Sequence, residues 1–199
     1  MSSGKLWRGQ TLADRSTDRR AVLLDAGRAL LGEGGAAAVT MRAVIREAKL
    51  SPRYFYESFA SREELLTAVY DEVSAELLGR LTTVQVVGDP RGDVRAFVDA
   101  IRDFFERDPR RARILLREPL ADDTLRDHRA AATPQFVGAA VAMAGGRIGA
   151  GRDLAIVSTA LSGALVALYL DYSDGRLDVE PDQLVDAAVE LIFAIAGEQ

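Results

Sequence analysis

The stretch Thr40–Tyr70, TMRAVIREAKLSPRYFYESFASREELLTAVY, decides the fold of this chain. Met41, Val44, Ile45 and Ala48 fall at i, i+3, i+4 and i+7, one apolar stripe over two helical turns, with Thr40 ahead of them. Lys49-Leu50 follows as a short turn. Ser51 then stands at a capping position, and Pro52 takes the first helical position, where a missing N–H costs nothing. Leu50 and Phe55 have the spacing of a hydrophobic staple, and Phe59 lies one turn further on. Ser61-Arg62-Glu63-Glu64 has the S-x-x-E form of a capping box, and Leu65, Leu66, Val69, Val73 and Leu77 carry the helix it opens to about Leu81. The spacing predicts two short helices, over Met41–Ala48 and Pro52–Ser58, lying between longer ones. This is helix-turn-helix spacing, which a generic helical hairpin would share.

Upstream, a helix is predicted over Thr17–Glu33, capped by Thr17 or Ser16, with Asp18 in its first turn and Val22, Ala26, Ala29 and Leu30 on one face. Gly34-Gly35 ends it. Residues 1–16, with Lys5, Trp7, Arg8 and Arg15, read as a flexible basic arm; it has no apolar run of the kind a secretory signal carries. Downstream, Gly88-Asp89-Pro90 breaks the chain. Helices are expected over Asp93–Glu106, from Pro109 through Leu116, over Thr124–Ala144 with a kink at Pro134, over Asp153–Tyr172 and over Pro181–Ala196. Gly145–Gly151 reads as a loop, and no run of short alternating strands is visible. The fold class is therefore all-α, with about nine helices: a three-helix head over residues 17–62 and a helical body over 63–199.

Composition narrows the function. The chain has no cysteine, which excludes disulfides, thiolate metal sites and cysteine nucleophiles. His128 is its one histidine, so no histidine pair exists for metal or relay chemistry. No phosphate-binding glycine loop or nucleophile elbow is present, and neither an enzyme nor a cofactor or metal site is expected. Residues 1–62 hold 11 Lys/Arg against 6 Asp/Glu, while residues 63–199 hold 14 against 24. A basic head on an acidic body points the head alone at a polyanion. Leu154–Leu170 runs for 17 residues without a charge, short of the about 20 that span a bilayer, and is expected to be buried on nearly all sides rather than in a membrane.

Thr40, Ala48, Ser51, Tyr56, Phe59, Ser61, Arg62, Glu63, Leu65 and Leu66 together resemble the signature of the tetracycline-repressor (TetR) family, over about residues 17–70. Lys49 departs from it, since the family usually has glycine there. A left-handed lysine would cost about 1–2 kcal/mol.

The resemblance implies a cytoplasmic, ligand-responsive transcription regulator, a repressor in kind, binding a near-palindromic double-stranded DNA operator as a homodimer. The alternative is a helical small-molecule-binding or scaffold protein that does not bind DNA. The helix Pro52–Ser58 would enter the major groove, with Arg53 and Tyr54 reaching base edges. Thr40, Tyr56 and Arg62 would contact phosphate, and Arg42, Lys49 and Ser51 join them by proximity. An effector of unknown identity would bind among the body helices and change the spacing of the heads, with Phe97, Ile101, Phe104, Phe105, Phe136, Met143 and Tyr169 as candidate lining. The last two helices would form the dimer interface through Leu154, Val157, Leu161, Leu165 and Leu168, with Leu184, Ala188, Leu191 and Ile195 beside them.

Overall fold

A computed structural model of the chain describes residues 12–143 and 154–196, with side chains from residue 17 onward except 135, 139, 142, 143, 154 and 196. Within these residues the fold is entirely helical, with nine α-helices and no strand. The chain divides into two compact units, Met1–Val73 and Ser74–Gln199, so the division falls inside a helix and not at its start.

In the first unit, α1 (Leu12–Gly34) leads to a 3₁₀ turn at Ala36–Ala38. Then come α2 (Met41–Glu47), α3 (Pro52–Ser58) and the start of α4 (Arg62–Leu81). α1 begins five residues ahead of the Thr17 cap read from sequence. The segment Leu12-Ala13-Asp14-Arg15-Ser16 holds three good helix formers and no breaker, so nothing halts the helix before Leu12. Its buried face is Leu23, Ala26, Gly27 and Leu31, one residue round from the predicted stripe, and Val22 is 43% exposed. Gly27 permits the close approach of α1 to α4, because a Cβ there would lie 3.1 Å from Leu65 Cδ1. Leu23, Leu31, Val39, Val44, Phe55, Phe59, Leu65, Leu66 and Val69 are fully buried and form the core of this unit.

The second unit holds α5 (Pro90–Arg107), α6 (Pro109–Ala112), α7 (Asp123–Met143), α8 (Leu154–Ser173) and α9 (Pro181–Ala196). α5 starts three residues earlier than expected, because Asp89 is its cap: the carboxylate accepts from Gly92 N at 3.1 Å, and Pro90 sits in the first turn. The helix expected through Leu116 instead ends at Ala112, gives way to a π-helical stretch at Arg113–Arg117 and closes as a 3₁₀ turn at Glu118–Leu120 around Pro119. Pro134 lies inside α7. Val94 of α5, Val137 and Val141 of α7, Leu161 of α8 and Val185, Val189 and Ile192 of α9 make one core cluster.

The expectation of a nearly fully buried α8 does not hold for the single chain. Ala155–Ser173 is long and apolar enough to cross a membrane by length and composition alone, yet only 22% of its apolar window is buried. Ser158, Leu161, Val166 and Leu170 face inward, while Ile156, Ala160, Gly163, Ala164 and Ala167 face out. The sequence pattern could not separate the two faces, because both are apolar.

Candidate nucleic-acid interface

The turn between α2 and α3 is built on a left-handed lysine. Lys49 has φ 53°, alone among the described non-glycine residues. Leu50 N donates to Ile45 O at 3.0 Å and Lys49 N to Arg46 O at 3.3 Å, the paired bonds of a Schellman ending. These satisfy carbonyls that the end of α2 would otherwise leave open. At the other end, the Thr40 hydroxyl accepts from Ala43 N at 3.2 Å and caps α2.

α3 has the predicted bounds, with Pro52 in its first turn. Ser51 occupies the cap position, but its hydroxyl makes no capping hydrogen bond; its carbonyl accepts from Tyr54 N at 3.0 Å instead. Phe55 is buried and holds the helix to the core, with ring centroids 6.1 Å from Phe59 and 5.7 Å from Tyr56.

Buried Phe55 fixes which residues of α3 point outward. The Arg53 side chain is 83% exposed, and its Nε donates to Glu57 Oε1 at 2.7 Å. That bond raises the Arg53 pKa further above its ordinary value, so the guanidinium is a permanent cation. Glu57 also lies 3.9 Å from Arg19 of α1, whose guanidinium stacks 4.6 Å from the centre of the half-buried Tyr54 ring. Arg19, Tyr54, Glu57 and Arg53 thus form one connected group. Glu57 did not stand out in the sequence: its i,i+4 spacing from Arg53 was a signal, but the link to Arg19 is tertiary. Tyr56 is 62% exposed, with its ring edge on Phe55.

Arg42, Arg46 and Lys49 are exposed on α2 and its turn, and no carboxylate among the described residues pairs with them. Arg46 is the member of this group that the sequence reading passed over.

Arg62 is placed differently. It is half-buried, its Nε donates to Val39 O at 2.8 Å and an Nη donates to Ala36 O at 2.7 Å. It ties the start of α4 to the 3₁₀ turn that precedes α2. Around it, Glu64 N donates to Ser61 Oγ at 3.2 Å, and the Glu64 carboxylate accepts from Ala60 N at 2.6 Å. The capping box therefore closes one residue ahead of its usual partner. Its own N–H and the Ser61 hydroxyl hold the Glu63 carboxyl below its ordinary range.

In the body, the structure brings Phe104, Phe105 and Tyr169 together: ring centroids are 5.5 Å apart for the first pair and 5.1 Å for Phe105–Tyr169. Burial pushes the Tyr169 phenol well up. Phe97, Ile101 and Phe136 are half-buried without a described ring contact, and the Met143 side chain lies outside the described residues. A groove of about 580 Å³ opens elsewhere, between the end of α4, α5 and Asp182, and shares none of the predicted lining. Its walls carry Arg80, Asp99, Arg102 and Asp103. Among the predicted interface residues, Leu161, Leu184 and Ala188 are buried in the body's own core. Val157, Leu165, Leu168, Leu191 and Ile195 are half-buried, and the Leu154 side chain lies outside the described residues. Among the described residues no three His, Asp or Glu side chains converge as a metal site.

A short helix with an exposed arginine in its first turn, braced through a tight turn by a capped partner helix, defines a helix-turn-helix DNA-binding head. Residues 23–69 match the model of the bacterial regulatory proteins of the tetR family. The chain is similar in fold to a member of the TetR family from Streptomyces coelicolor A3, with a TM-score of 0.66, 17% identity and coverage of 88% of this chain and 99% of that one. It is likewise similar to the multidrug binding protein EbrR complexed with imidazole, with a TM-score of 0.69, 18% identity and coverage of 95% and 98%. The fatty acid degradation regulator FadR from Bacillus halodurans follows, with a TM-score of 0.64, 13% identity and coverage of 87% and 94%. No curated protein matches the chain in sequence. The helix-turn-helix head is thus the part of the chain that matches the TetR family of bacterial regulatory proteins, and the fold as a whole resembles that of TetR-family structures.

Proposed function

We propose that this regulator is a repressor that binds a near-palindromic operator as a homodimer and is released by a small-molecule effector. The observation that carries the reading is Arg53, exposed in the first turn of α3 and oriented by Glu57. An arginine so placed pairs with the O6 and N7 of guanine, at about 1–3 kcal/mol of discrimination. Tyr54, the next residue, is half-buried under the Arg19 guanidinium. Tyr56, Thr40 and Ser51 border the same face, and Arg42, Arg46 and Lys49 supply the positive charge that draws phosphate. Glu57 adds specificity: it fixes the Arg53 head and repels any backbone phosphate that would meet α3 out of register.

Arg62 takes a positioning role in this reading, since two of its donors already hold the carbonyls of Val39 and Ala36. The dimer reading is supported by the outward face of α8, where Ile156 is 68% exposed and Ala160, Gly163, Ala164 and Ala167 allow close helix approach. Sequestering that face in a twofold contact requires an operator with matching symmetry.

Selection of bound sequences from a random duplex pool, with the purified full chain at moderate salt, tests the reading. Recovery of a single inverted repeat is the expected result. A folded protein that enriches nothing, with and without candidate ligands, would sink it and leave the helical ligand-binding alternative.

A further inference from the structure

Body arginines are neutralised with great regularity. Arg91, Arg95, Arg102, Arg107, Arg113, Arg117 and Arg176 each reach an Asp or Glu. Arg129 of α7 does not: the partner it has among the described residues is a neutral hydroxyl, Ser162 Oγ of α8, at 2.6 Å in a half-buried position. One turn back on the same face of α8 is Ser158, 1% exposed, whose hydroxyl has no hydrogen-bond partner among the described residues. Residues at i and i+4 of a helix lie about 5–6 Å apart between Cβ atoms, so Ser158 stands one turn from the hydroxyl that the Arg129 guanidinium reaches.

Both features are unfavourable as they stand. Among the described residues, a half-buried guanidinium with no counter-charge loses part of its hydration without an ion pair in return, and a buried hydroxyl with no partner carries a desolvation cost. Both deficits are also of one kind. Arg129 has five N–H donors with one engaged, Ser162 accepts and still has its O–H to donate, and Ser158 has a free O–H. The cluster is a set of donors awaiting an acceptor that carries a single negative charge. Beside the polar groups the surroundings are apolar: Leu161 lies between the two serines in sequence and belongs to the same buried cluster as Val137 and Val141, further along α7.

We propose that Arg129, Ser158 and Ser162 bind the carboxylate of an amphiphilic organic acid, whose hydrocarbon portion lies among the α7–α8 apolar residues. This rests on the reading of the body as the effector-binding part of the molecule and names the effector's chemical class. A carboxylate can take a two-pronged bond from Arg129 and a third from Ser158, which a neutral ligand cannot repay.

Calorimetry on the full chain without DNA tests it, with octanoate and phenylacetate as probes against octanol, 2-phenylethanol and inorganic phosphate. Both acids, or one of them, should bind well ahead of the matched alcohol. Arg129→Gln should weaken that acid by at least ~10-fold while Arg126→Gln, an exposed neighbour on the same helix, leaves it unchanged. Ser158→Ala should weaken it by roughly 3–10-fold and at the same time raise the unliganded Tm, since it removes an unpartnered buried hydroxyl. That opposed pair of effects keeps the test sound even where Arg129→Gln folds poorly. Failure of both acids to bind, equal binding of acid and alcohol, preference for phosphate, or acid binding indifferent to Ser158→Ala and Arg129→Gln would each overturn the proposal. Because no DNA is present, acid binding that leaves operator affinity untouched counts against release by effector, not against the site.

Discussion

Arg42, Arg46 and Lys49 in the head stand exposed without a carboxylate partner among the described residues, whereas the described body arginines, Arg129 apart, lie within ion-pair distance of an Asp or Glu. The two regions use the same side chain for different ends. Most body pairs are on the surface and contribute little stability singly, but together they leave few body arginines free to meet an anion. The head keeps these three cations open, and several of its other arginines hold carbonyls or aromatic faces: Arg62 on Ala36 and Val39 besides Glu63, Arg19 over Tyr54 besides Glu57, and Arg20 over Phe59 at 4.4 Å. Net charge alone would suggest a weakly acidic protein; its distribution leaves the first 62 residues basic, as the proposed contact with a polyanion requires.

Removing one arginine from each region should break this comparison most sharply. Arg62→Ala leaves two carbonyls of the head without their donors and should cost about 3 kcal/mol in denaturant unfolding. Arg126→Ala, which loses an exposed pair with Asp123, should cost less than about 0.5 kcal/mol. Equal costs would show that Arg62 is a surface charge after all, and its loss would then register only in DNA affinity.

The body has a polar anchor of its own, and it is a carboxylate. Asp93 is 4% exposed and accepts from Val87 N at 2.8 Å and Gly88 N at 3.0 Å, fixing the chain as it enters α5. Asp93→Ala strands both N–H groups and should destabilise by about 2 kcal/mol, read as a fall in the unfolding midpoint, while DNA binding by the folded protein stays the same. A change in operator affinity at full folding would mean that this turn is coupled to the head.

What could be read from the sequence follows from how local the cause is. α3 and α9 begin at Pro52 and Pro181 as expected, because a proline in the first turn and the residues around it settle a helix start within four positions. The same logic applied to Asp89-Pro90 would have placed α5 correctly. Features that depend on distant partners were out of reach. Arg62 binds carbonyls 23 and 26 residues away, so its likeness to a phosphate contact was all the sequence offered. The buried side of α8 was ambiguous because Ile156 and Ala160 are as apolar as Leu161, and only packing against α7 and α9 chooses between them. The arginine–serine cluster of α7 and α8 joins residues 33 positions apart and left no sequence signal.

In α3, Arg53→Ala should leave stability within about 0.5 kcal/mol, since the side chain is 83% exposed. It should nevertheless remove ~1–3 kcal/mol of discrimination at one base pair of each half-site. Arg46→Ala should instead weaken all sequences alike and lower the slope of log affinity against log salt by about 1. Competition binding against a set of single-base operator variants separates the two. Uniform weakening by Arg53→Ala would move it from base readout to phosphate contact.

The smallest effect is also the one that most directly sets stability against binding. Lys49 holds φ at 53°, a region that costs a residue with a Cβ about 1–2 kcal/mol and costs glycine almost nothing. Part of that gain is returned through the greater freedom of glycine in the unfolded chain, so Lys49→Gly should stabilise the protein by about 0.5–1 kcal/mol. The same change removes one exposed cation beside α3 and should lower the salt slope of DNA binding. A variant both more stable and less strongly bound means that a lysine in a glycine's place trades backbone strain for phosphate attraction. If Lys49→Gly gains stability with no loss of affinity at low salt, the lysine side chain does not reach DNA, and the positive surface of the head narrows to Arg42 and Arg46.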